Sequence, residues 1–188
     1  MFLDLSTRKQ ILVVGGGISG ITAALQLADS GHTVILVERQ DSLGGHAALF
    51  SCKATDRCVE CGACLVEQRI DRTNRHPNIE VSLRSHVYRF EKNNATGRFL
   101  AEMRSDSSPS SERRIEADAV VFATGFKTYD PTGKPFGYRR FANVVTTLEL
   151  ERMLRFEGKV IKPSDGEEPD RIAFIQCVGS RDAALGHL

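Results

Sequence analysis

A short apolar run, Gln10–Val14, stops at Gly15-Gly16-Gly17-Ile18-Ser19-Gly20, and apolar residues at helical spacing follow (Ile18, Ile21, Ala24, Leu25, Ala28). This arrangement restricts the fold more than anything else in the chain. The run has the length of a buried parallel strand. Gly31 is placed to end the helix, as a residue able to take positive φ. Residues 32–38 (HTVILVE) read as a second strand, so the chain opens as a βαβ unit with a right-handed crossover. The glycines fit G-x-G-x-x-G in its proper context, after a strand and before a helix. Gly15 allows the tight turn, Gly17 lets the backbone approach a pyrophosphate, and Gly20 permits close helix–strand packing. Ile18 and Ser19 stand in the first turn, where free N–H groups and the helix dipole favour an anion. Glu38 closes the second strand, where its carboxylate can accept from both hydroxyls of a ribose and repel a 2′-phosphate.

Further along, residues 42–75 lack periodicity and hold most of the cysteines, so they are expected to form an insertion shaped by a metal. Residues 79–90 and 98–104 alternate like antiparallel strands joined at Asn93-Asn94-Ala95-Thr96-Gly97. A mobile polar loop is expected over 105–111, then an apolar strand over 115–123 ending in Thr124-Gly125. Residues 146–156 read as a helix, 162–170 as a polar connection and 171–178 (RIAFIQCV) as one more buried strand.

Two features favour FAD over NAD(P) as the dinucleotide. Leu43-Gly44-Gly45 follows the second strand closely, putting small residues where an extended cofactor runs past. Val120-Val121-Phe122-Ala123-Thr124-Gly125 is an apolar strand ending in A-T-G, as in the FAD domain of the glutathione reductase and thioredoxin reductase class, which this part of the sequence resembles. Candidate cofactor contacts are therefore Gly15, Gly17, Ile18, Ser19, Gly20, Glu38, Arg39, Gly44, Gly45, His46, Val87, Ala123, Thr124 and Gly125. No catalytic side chain stands out.

Cys58, Cys61 and Cys64 form C-x2-C-x2-C, a spacing that lets three thiolates surround one metal centre, with Gly62 easing the curl. A ferredoxin run adds a cysteine at position 68, where Gln68 stands. Cys52 is the nearest fourth ligand and Cys177 its distant rival, although a cysteine in an apolar strand is more often a small core residue. Zinc is the alternative metal, but it favours two paired knuckles separated by a longer loop, so a [4Fe–4S] cluster is the expectation. Lys53, Arg57, Arg69 and Arg72 either offset the charge of such a cluster or form an ordinary cationic surface. The short lead from Gly45 to Cys52 keeps the metal within roughly 25 Å of the flavin loop.

Together VVGGGISGITAAL, LGGHAALF, SCKATDRCVECGACLVE, ADAVVFATGF and RIAFIQCVGSRD resemble the A-subunit of heterodisulfide reductase and its bacterial relatives, over nearly the whole chain. The resemblance implies an FAD-binding oxidoreductase subunit exchanging electrons with iron–sulfur partners, inside an oligomeric complex with other subunits and ferredoxin-type carriers. Members of that family continue past Gly-Ser-Arg-Asp (179–182) into a second nucleotide-type half.

With a net charge of +1, nothing points to nucleic acid or an anionic membrane. No apolar run has the length of a membrane span. Crowded cysteines suit metal ligation in a reducing compartment such as the cytoplasm. The expected architecture is a Rossmann-like three-layer α/β FAD domain over 1–160, interrupted by an iron–sulfur insertion at 46–76. Residues 161–188 then form a connection and the first strand of a truncated second domain. Two other readings are an NAD(P)H-dependent flavoprotein of thioredoxin reductase type and a non-catalytic assembly module with a structural metal.

Overall fold

A computed structural model describes residues 7–54, 56–106, 108–179 and 181, with 108–111 described by their backbone. The chain divides into two compact units, one made of 1–48 with 60–125 and the other of 49–59 with 126–188.

The first unit is built in three layers. Its central sheet is parallel, with β1 (Gln10–Val14) between β2 (Thr33–Val37) and β7 (Ala119–Phe122), and β3 (Ile79–Ser82) outside β2. Val14 pairs with both Val37 and Phe122, so three strand ends finish level. Successive side chains of a strand face opposite sides, and β1 uses this to serve two cores. Ile11 and Val13, with Val34 and Leu36 of β2, pack against Ile21, Ala24 and Ala28 of helix α1 (Ile18–Asp29). Leu12, Ile35 and Val37 face the other way, onto an antiparallel meander of β4 (Ser85–Lys92), β5 (Phe99–Ser105) and β6 (Ser108–Ala117). Ala101, Met103, Ile115 and Ala117 supply the meander's side of that core.

Helix α1 ends as expected. Gly31 takes φ +90°, its N–H donates to the Ala28 carbonyl and the His32 N–H reaches the Leu27 carbonyl, the paired bonds of a Schellman motif.

Several elements depart from the expectation. Residues 79–90 divide into β3 and β4 at Arg84, whose φ is +48°; the chain leaves the parallel sheet there and enters the meander. Residues 115–123 divide likewise at Asp118, which exchanges backbone and side-chain hydrogen bonds with the Gln10 N–H and carbonyl. The loop expected over 105–111 is shorter, because β6 already begins at Ser108; Ser107 lies outside the described residues. Residues 42–75 are not wholly irregular, since Ala63–Arg75 form helix α2, which buries Val66 and Thr73 and packs Ile70 on the α1 core. That apolar face is sparse and the remaining positions are charged, which hid the helix.

In the second unit, helix α3 (Thr147–Phe156) starts in a complete capping box, with Thr146 and Glu149 exchanging bonds. Residues 171–178 form no strand, and Ile172, Phe174 and Ile175 are exposed. A strand exists only by pairing, and apolar sequence without a neighbouring ladder does not supply one. Of the Gly-Ser-Arg-Asp segment, Ser180 and Asp182 lie outside the described residues. Among the described residues, no helix is long and apolar enough to cross a membrane.

Candidate functional site

The carboxyl ends of β1, β2 and β7 meet at the glycine loop, the position where open parallel sheets receive ligands. Each loop glycine has a separate steric reason. A Cβ on Gly15 would stand 2.3 Å from the Ala123 carbonyl oxygen, and one on Gly20 would stand 1.8 Å from the Gly15 carbonyl oxygen. Gly15 and Gly20 therefore hold β1, α1 and the Ala123-Thr124 turn in direct backbone contact. Gly17 differs, because a Cβ there would meet nothing within 4 Å. It caps α1 with no side-chain hydrogen bond, leaving the first-turn N–H groups at Ile18 and Ser19 beside open space. A bare backbone at a helix N-terminus fits a pyrophosphate, both sterically and by its dipole.

Glu38 is nearly buried at 9% exposure. Its carboxylate accepts from the Gly16 N–H at 2.6 Å through one oxygen and from the Gln40 N–H at 2.8 Å through the other. The residue expected to read a ribose thus also locks the glycine loop to the end of β2. A carboxylate has about four acceptor positions, so both roles are compatible. The lock was invisible in the sequence because it joins residues that only tertiary folding brings together.

Gly44 closes against the same loop, its N–H donating to the Gly16 carbonyl at 2.7 Å, and a Cβ on Gly45 would touch the Gly17 Cα at 3.2 Å. His46 sits partly buried in the single-turn helix Gly45–Leu49. Ala123 is tied to Val14 through its N–H, while Thr124, Gly125 and Arg39 are exposed at the rim. Val87 lies apart from the loop contacts, half-buried against the core shared by sheet and meander.

All five cysteines are exposed and lie outside any disulfide. Cys52 and Cys58 belong to one unit, Cys61 and Cys64 to the other. Among the described residues no three His, Cys, Asp or Glu side chains are grouped closely enough to hold a metal ion. The Cys52 sulfur accepts from the Ala54 N–H at 3.5 Å. Gly62, left-handed at φ 76°, caps α2, and Cys64 lies in the first turn of that helix. Cys177 is not the buried strand residue expected: it is exposed and left-handed, at φ 57°. Three of the nearby cations have protein partners. Arg69 donates to Thr22, Arg72 pairs with Asp29, and Lys53 pairs with Glu151. The first two dock α2 onto α1, an ordinary structural use.

Against known protein families, residues 9–162 match the model described as pyridine nucleotide-disulphide oxidoreductase. The chain belongs to that family. Membership makes it a flavin-dependent oxidoreductase domain and agrees with the three-layer fold and the glycine loop. Among curated proteins, this oxidoreductase is 29% identical to the A-subunit of the H(2):CoB-CoM heterodisulfide,ferredoxin reductase of Methanothermobacter marburgensis, over 97% of this chain and 39% of the relative. It is 31% identical to the second iron-sulfur A-subunit of the CoB--CoM heterodisulfide reductase of Methanopyrus kandleri, over 96% of this chain and 39% of that protein. The chain thus spans about two fifths of the length of these relatives. Among solved structures, L-proline dehydrogenase from P. horikoshii superposes with a TM-score of 0.50 at 26% identity, covering 63% of this chain and 23% of that one.

Proposed function

We propose that the chain is the flavin-binding part of an electron-transfer protein of the heterodisulfide reductase A-subunit type, relaying electrons between FAD and iron–sulfur partners. The observation that carries the reading is the bare Gly17 face at the N-terminus of α1, open over a loop otherwise pinned by close contacts. FAD, when bound, supplies two-electron redox chemistry with access to single-electron steps. The protein's part is to hold it: Gly15, Gly17, Ile18, Ser19 and Gly20 at the pyrophosphate, and Glu38 with Arg39 at the ribose end. Gly44, Gly45, His46, Val87, Ala123, Thr124 and Gly125 complete the proposed lining.

Cys52, Cys58, Cys61 and Cys64 are the proposed ligands of a [4Fe–4S] cluster. Cys58, Cys61 and Cys64 at C-x2-C-x2-C spacing, with Cys52 just upstream, are all exposed, which supports this donor set. Cys64 stands in the first turn of α2, and an N–H bond to a ligand sulfur, as at Cys52, tunes cluster potentials. The Methanopyrus relative is named as an iron–sulfur protein, which supports the same reading. The division into an FAD domain at 1–160 with its cluster segment at 46–76, and an entry to a second nucleotide-type domain at 161–188, belongs to this proposal. So do other subunits and ferredoxin-type carriers as partners, and a cytoplasmic setting, where free cysteines persist. A thioredoxin-reductase-type activity has less support, because the similarity to heterodisulfide reductases runs along nearly the whole chain.

The test is the visible spectrum of anaerobically purified protein with iron and sulfide analysis. Flavin bands, a broad shoulder bleached by dithionite, and about four iron atoms per chain support the relay. A flavin spectrum with stoichiometric zinc contradicts the cluster, and a colourless protein contradicts the whole reading.

A further inference from the structure

Leu43-Gly44-Gly45 runs alongside the glycine loop. Gly44 forms a parallel bridge with Gly17, and its N–H donates to the Gly16 carbonyl at 2.7 Å. The two glycines have no side chains to hold them there. They take φ +106° and +54°, and glycine loses more conformational freedom on ordering than any other residue. The support comes from helix α2. A Cβ on Gly44 would stand 2.9 Å from the Ile70 Cδ1 and 3.5 Å from the Val66 Cγ1, so two side chains one turn apart lie directly on the bare glycine. Leu43, 4% exposed, is buried in the core against which Ile70 packs. The helix is in turn tied to α1, with Arg69 donating to the Thr22 hydroxyl at 2.8 Å and Arg72 to both oxygens of Asp29. Glycine loop, Gly44 and α2 thus touch in that order, all within the first unit. As a source of stability alone α2 offers little, since only Val66 and Thr73 are buried along it.

We propose that Ile70, with Val66, is a positioning residue for the flavin cofactor, holding Gly44-Gly45 against the glycine loop so that the pyrophosphate site at Gly17 is formed before FAD arrives. The inference rests on the reading of the open Gly17 face as that site. A protein whose binding-competent state is only partly populated binds its ligand more weakly in proportion. Loosening α2 should therefore lower FAD affinity without removing any group proposed to touch the cofactor. Bound FAD should steady the helix in return, because coupling between two places is reciprocal.

The experiment titrates FAD into the full chain as apoprotein, well below its unfolding midpoint. Flavin fluorescence, the visible circular dichroism of the bound flavin and hydrogen exchange along α2 are followed together. Ile70→Ala should raise the dissociation constant roughly 5-fold or more and alter the dichroism. Ile70→Leu keeps a δ-methyl group and should restore both. Ile115→Ala, in the core on the opposite face of the sheet, should lower the unfolding midpoint but leave FAD affinity at the wild-type level. Arg69→Met frees α2 from α1 without opening the core, and should weaken FAD binding even if Ile70→Ala impairs folding. In the wild type, FAD should slow exchange over residues 66–73. Wild-type affinity in Ile70→Ala and Arg69→Met, or an equal loss in Ile115→Ala, would overturn the positioning role alone, provided Gly17→Val carries no FAD. A full complement of FAD in Gly17→Val would overturn the site, and the positioning role with it.

Discussion

The two units of this chain spend their apolar residues very differently. Every buried apolar side chain among the described residues lies in the first unit, where Leu12, Val13, Val34 and Leu36 are wholly inaccessible to water. The second unit leaves Phe126, Phe141, Phe156, Ile172, Phe174 and Ile175 exposed. It holds an open pocket of about 610 Å³ lined by Tyr129, Tyr138, Leu150, Met153 and Phe174. Its described polar contacts include the capping box of α3 and the bonds from Ser51 and Lys53 to Glu151. A central strand sandwiched between helices and meander can bury both of its faces. A lone helix flanked by irregular chain has no second layer to close against, whatever its composition.

The contrast is broken most directly at the core. Leu12→Ala should cost about 2–5 kcal/mol, measured by denaturant unfolding of the first unit, and a loss below about 1 kcal/mol would mean that the sheet and meander do not share a core. Gly20→Ala should come next, at about 1–3 kcal/mol, because the new methyl group collides with backbone rather than with a flexible side chain. Unchanged stability there would show that α1 is free to shift along the sheet.

In the second unit the effects should be smaller. Thr146→Ala should cost about 1 kcal/mol of local helix stability, read from hydrogen exchange in α3. The loss should depend on pH. Burial pushes the Glu149 carboxyl up, but bonds from Thr146 and Tyr138 outweigh it and hold the group below its usual value. A carboxyl whose pKa is lower in the folded state contributes fully above its ordinary value, and loses that contribution as pH falls from there through the lowered one. The difference between wild type and Thr146→Ala should therefore shrink below about pH 4. Phe174→Ala, at a side chain 68% exposed, should stay within about 0.5 kcal/mol of wild type. A loss comparable to that of Leu12→Ala would show that 171–178 is buried in solution and erase the contrast.

The part of the fold written in local sequence was legible. The β1–glycine–α1–β2 unit, with Gly31 as its helix stop, needs only neighbouring residues to specify it, and so does the helix read over 146–156. Features decided by tertiary pairing were not. Arg84 and Asp118 divide apparently continuous strands between two sheets, which no alternation pattern reveals. Helix α2 was masked by its charged surface and by the cysteines before it. The site followed the same rule: the close packing at Gly15 and Gly20 was legible from spacing, but the bonds from Gly16 to Glu38 and from Ser51 to Glu151 join residues far apart in the chain.

The central claim is that the open face at Gly17 receives the pyrophosphate of FAD. Its neighbours Gly15 and Gly20 cannot test this cleanly, since replacing either collides with the backbone itself. Gly17 can, because a Cβ there would meet nothing within 4 Å. Flavin content and unfolding should be measured together on a Gly17→Val variant. The prediction is a folded protein, weakened by no more than about 1 kcal/mol from the poorer helix cap, that carries no FAD. A Gly17→Val protein with a full complement of FAD would contradict the site.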